Sequence, residues 1–93
     1  MRLRDMMLDI NITNAEIEQL LWSNIIAAER TPDNVRVESS RNLNMALLVL
    51  LQQRQQPTNS LLQERALFFL QKAVSVLPDV AGFAGDLQKI AEQ

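Results

Sequence analysis

The sequence predicts an all-α fold: a small helical bundle or array of three main helices with a short C-terminal fourth. Three observations predict it. Apolar residues recur at three- and four-residue spacing through the longest segments. The three Pro and two Gly stand toward segment ends. Ser or Thr followed three residues later by Glu or Gln precedes two of the apolar runs, the pattern of a helix-opening capping box. Ninety-three residues, 47% apolar and 22% charged, suit one globular domain. The chain divides into an N-terminal arm, residues 1–12, and a single helical domain, residues 13–93.

In the arm, Leu3, Met7 and Ile10 fit a helical stripe, while Leu8, Ile10 and Ile12 alternate as in a strand, so either conformation is open. The first helix is expected to open at Thr13. Glu16 completes a capping box, and Ile12 and Ile17 can staple across the cap. Its stripe is Ile17, Leu20, Leu21, Ile25 and Ala28, widened by Trp22 and Ile26. Trp22 is expected in the core. Asn24 interrupts the stripe and needs partners if buried.

Thr31-Pro32-Asp33 predicts a restart, with Thr31 capping and Pro32 at the first helical position. Regular helix is strong from Leu43, where Leu43, Ala46, Leu47, Leu50 and Leu51 share a face. Met45, Leu48 and Val49 point elsewhere, so this helix is either buried on several sides or half turned to a partner. Pro57 stops it. Ser60 with Gln63 offers a second capping box for the third helix, whose stripe is Leu62, Ala66, Phe69, Leu70, Ala73 and Leu77. Phe68 falls among the polar residues Glu64, Arg65, Gln71, Lys72 and Ser75. Pro78 ends that helix and Asp79 can cap the fourth, striped by Val80, Phe83, Leu87 and Ile90 and weakened by Gly82 and Gly85.

Composition narrows the chemistry. With no His and no Cys, the usual base and thiol nucleophile are missing, and no Gly-rich phosphate loop occurs. Glu16 is better read as a cap and Glu18 as solvated surface, so no catalytic, cofactor-binding or metal-ligating residue is expected and the reading is non-enzymatic. Net charge is −2, and nine basic residues are scattered among eleven acids, which argues against nucleic-acid binding. No apolar run approaches the roughly 20 residues of a membrane span, and the start does not read as a signal peptide. A cytoplasmic protein is the expectation.

The third helix resembles the second helix of a tetratricopeptide repeat in the spacing of Ala66, Leu70, Ala73 and Pro78. The preceding helix departs from that family by lacking its Trp, Gly and Tyr positions, and the connector QQPTNS is longer than the repeat's turn. The resemblance implies a tetratricopeptide-like array. By size and acidity it also implies something similar to the small tetratricopeptide-like chaperones of bacterial secretion systems.

The leading expectation is therefore a protein–protein interaction module: an adaptor, small regulator or dedicated chaperone that binds a partner helix through an apolar helical face. Met45, Leu48, Val49 and Phe68 are the expected partner-binding residues, in a homo- or hetero-oligomer. Two alternatives stand beside it. One is a helical nucleic-acid-binding regulator using Arg36, Arg41 and Arg54. The other is a structural subunit of a larger assembly.

Overall fold

A computed structural model of the chain describes residues 11–93, and the conformation expected for the arm falls almost wholly outside them. Among the described residues there are four α-helices and no strand: α1 (Asn14–Arg30), α2 (Asn34–Gln55), α3 (Ser60–Val76) and α4 (Ala81–Ala91). A 3-10 turn, Pro78–Val80, joins α3 to α4. The all-α fold read from periodicity is the fold observed.

Local chemistry sets the helix ends. At α1 the capping box forms as expected. The Thr13 hydroxyl oxygen accepts from the Glu16 backbone N–H at 3.1 Å, and the Glu16 carboxylate accepts from the Thr13 N–H at 3.2 Å. At α2 the cap is Asp33, not Thr31. Thr31 precedes Pro32 and is held extended (φ −107, ψ 136), which ends α1 instead of opening α2. Its hydroxyl accepts from the Asp33 N–H at 3.2 Å, and Asp33 Oδ1 in turn accepts from the Val35 N–H at 3.0 Å. Helix α2 is continuous from Asn34, so the weakly apolar segment before Leu43 is helical too.

Asn59, not Ser60, caps α3. Its Oδ1 accepts from the Leu61 N–H at 3.1 Å, which leaves Ser60 as the first helical residue. Asp79 caps nothing. It lies inside the 3-10 turn, and α4 opens at Val80 without a side-chain cap.

Three long-range hydrogen bonds fix the helix directions. Arg54 Nη1, at the end of α2, donates to Asn14 Oδ1, at the start of α1, at 3.0 Å. Ser39 Oγ, early in α2, donates to the Ala73 carbonyl, late in α3, at 3.0 Å. Gln53 Nε2 donates to the Ala91 carbonyl, at the end of α4, at 2.7 Å. Successive helices therefore run antiparallel, up-down-up-down. Helix α2 packs on both α1 and α3, α4 packs on α3 and more lightly on α2, and α1 packs on α2.

The same bonds set the registers. An antiparallel pair steps one residue forward for each step back. With Ser39 level with Ala73, Ala46 falls level with Ala66, and all three alanines are fully buried. Small side chains there let the α2 and α3 backbones approach closely. With Arg54 at the end of α2 reaching Asn14 at the start of α1, Ile17 lies toward the later half of α2, Leu20 and Leu21 near its middle, and Asn24 and Ala28 toward its earlier half. On the α1 side the seam is buried at Ile17, Leu20 and Asn24, so an amide interrupts an otherwise apolar stripe. One core unites the helices. It includes Ile12 and Ile17, Leu47 and Leu50, Leu70, and Leu87 and Ile90, all buried.

Candidate functional site

Helix α2 has two sides with different fates. Ser39 points at α3. At about 100° per residue, Met45 lies about 120° around the helix from Ser39 and Leu48 about 180°. Both side chains turn outward, 42% and 47% exposed. On α3, Phe68 follows the buried Ala66 by two residues and so projects nearly opposite to it, 48% exposed. Three of the four expected partner-binding residues are therefore outward-facing apolar side chains.

Val49 is the exception. It is 3% exposed and belongs to the core. Helix α2 is packed by neighbours on more than one side, so its buried sector is wider than a single stripe, and Val49 falls inside it.

Phe68 is held in place despite its exposure. Its ring stacks on Phe69, with centroids 5.4 Å apart and planes at 27°. The Lys72 ammonium stands 5.3 Å from its centroid. An exposed cation–π contact of this kind contributes about 0.5–1 kcal/mol. Phe69 itself is part-buried against the core. The outer ring is thus anchored by its neighbours while about half of the residue stays in water.

Further exposed apolar residues escaped the sequence reading. Trp22, expected in the core, is 65% exposed, and Ile26, one turn on, is 45% exposed. Leu61 is exposed on α3 seven residues before Phe68, on the same face. Arithmetic on the apolar stripe of α1 could not find Trp22, because the stripe is continuous round to it. The missing signal is that, among the described residues, α1 packs on α2 and on little else.

The basic residues do not converge. Arg36 Nε stands 3.5 Å from Asp33 Oδ2, and Arg54 is bonded to Asn14. Arg36 and Arg54 share a face of α2 but sit about 27 Å apart along it, and Arg41 points about 140° away from both. Among the described residues no group of His, Cys, Asp or Glu could hold a metal ion. None of their helices is long and apolar enough to cross a membrane. A groove of about 460 Å³ runs between α3 and α4, floored by Leu70, Val74, Ala81, Ala84 and Gly85. Comparison of the chain with family models, with curated proteins and with solved structures gives no match.

Proposed function

We propose that this chain is a non-enzymatic interaction module, an adaptor, small regulator or dedicated chaperone of the bacterial cytoplasm. It takes up an amphipathic helix of a partner, or of a second copy, on the outward faces of α2 and α3. One observation carries the reading: Met45, Leu48 and Phe68 are large apolar side chains, each exposed by more than two-fifths, on helices whose opposite sides are core. Large apolar side chains left exposed in this way mark contact surfaces. Aromatic and Met residues are among the types enriched at such surfaces.

The α2–α3 pair also suits a tetratricopeptide-like hairpin. Ala66, Leu70 and Ala73, the positions that carry the resemblance, are all buried. The separation of Arg36, Arg41 and Arg54 gives a nucleic-acid backbone no continuous basic face to follow.

Leu48→Glu and Phe68→Glu test the reading. Each places a charge on an already wet surface, so the thermal melt stays close to that of the unaltered chain. Sedimentation equilibrium and pull-down from the native host are then expected to show loss of self-association or of a captured protein. An unaltered chain that stays monomeric, with captured proteins that both substitutions leave unchanged, refutes the proposal.

A further inference from the structure

Helix α1 is attached differently from the rest. Helix α4, though shorter, packs on both α3 and α2 and is tied to α2 through Gln53 and the Ala91 carbonyl. Helix α1 packs on α2, and its contacts with α3 and α4 are slight. Of the three buried residues that α1 offers to this seam, Ile17 and Leu20 are apolar and Asn24 is an amide. At Asn24 and Asn44 the seam buries amide groups. Asn24 is 7% exposed, and neither its Nδ2 nor Asn44 Oδ1 has a hydrogen-bond partner among the protein's atoms. One is a donor and the other an acceptor, on the two helices that meet at this seam, and no hydrogen bond joins them. An amide layer in a helical seam specifies register at a cost in stability.

We infer that α1 opens as a unit from α2, α3 and α4, along a seam that the buried, unpartnered amides of Asn24 and Asn44 keep weak. The opening uncovers the Leu47 and Leu51 side of α2. The inference does not depend on the outward-facing surface of α2 and α3, which is untouched when α1 lifts.

Native-state hydrogen exchange on the full chain tests it. Sub-global opening appears as one contiguous element exchanging faster than the slowest amides. Amides from Leu20 to Ile26 are expected to exchange at least about tenfold faster than the slowest amides of α2 and α3. A buried polar group with no partner carries its full desolvation cost, and replacing it with an apolar side chain of similar size relieves that cost. Asn24→Leu combined with Asn44→Leu is therefore expected to close the gap to within about threefold, and Asn24→Leu alone to close part of it. Amides of α1 that exchange at the slowest α2 rate in the unaltered chain overturn the inference by themselves. A double variant that leaves the gap unchanged overturns the role given to the amide layer.

Discussion

Helices α1 and α2 carry similarly broad apolar surfaces in sequence, and the fold treats them in opposite ways. Helix α2 is central, with α1 on one side and α3 on another, so residues well off its main stripe are buried, Val49 among them. Helix α1 is peripheral, so residues just off its main stripe are exposed, Trp22 and Ile26 among them. The periodicity of one helix tells which residues could face a neighbour. How wide a sector is covered depends on how many neighbours the helix has, which is a property of the whole array. The two seams of α2 differ in the same sense. Toward α3 it is lined by alanines and closed by the Ser39 hydroxyl. Toward α1 it is interrupted by amides.

The largest expected effects test whether α2 and α3 are central at all. Leu47→Ala and Leu70→Ala each remove a fully or nearly fully buried side chain and should cost about 2–5 kcal/mol in chemical denaturation. A loss below about 1 kcal/mol at either site would mean that its surroundings collapse freely, contrary to a packed centre.

A smaller contrast sharpens the difference between the seams. Ala46 is fully buried and level with Ala66, so Ala46→Leu must part the two backbones and should cost about 1–3 kcal/mol. Ala28 is only part-buried near the end of α1, and Ala28→Leu should stay within about 0.5 kcal/mol of the original. Equal costs at the two positions would erase the distinction. Ser39→Ala comes next. It deletes one buried hydrogen bond to a carbonyl that also accepts from the Leu77 N–H, and should cost about 0.5–1.5 kcal/mol.

The smallest effect has the opposite sign. A Cβ added at Gly85 would meet nothing within 4 Å, so Gly85→Ala should raise stability by about 0.5–1 kcal/mol through helix propensity alone. A drop in melting temperature would show that the groove between α3 and α4 is tighter than its geometry suggests.

What was legible in the chain follows from range. The helices, the Thr13 box and the buried stripe of Leu43, Ala46, Leu47 and Leu50 rest on neighbours within a turn or two, and all appear. The α2 and α3 caps were each misplaced, because Thr31 and Asp33, or Asn59 and Ser60, both present a suitable oxygen. The choice rests on backbone conformation around the cap. In the candidate surface, Met45, Leu48 and Phe68 were visible as residues left over from their own stripes. Val49 and Trp22 were misassigned because burial there is decided by residues far away in sequence, on other helices.

Gln53 and Arg54, consecutive residues of α2, reach in different directions: one to the last residue of α4, the other to the first of α1. A single turn of helix therefore brings the beginning and the end of the described helices to the same pole of the molecule. The order in which the helices are strung is then only loosely bound to the way they pack. A circular permutant that links the end of α4 to the start of α1 and opens the chain between Gln56 and Asn59 needs no connection spanning the molecule. The residues at that opening are exposed or nearly so, where new termini are best tolerated. The permutant would begin with α3 and end with α2, leaving the helix now at the centre of the array as its last element in sequence.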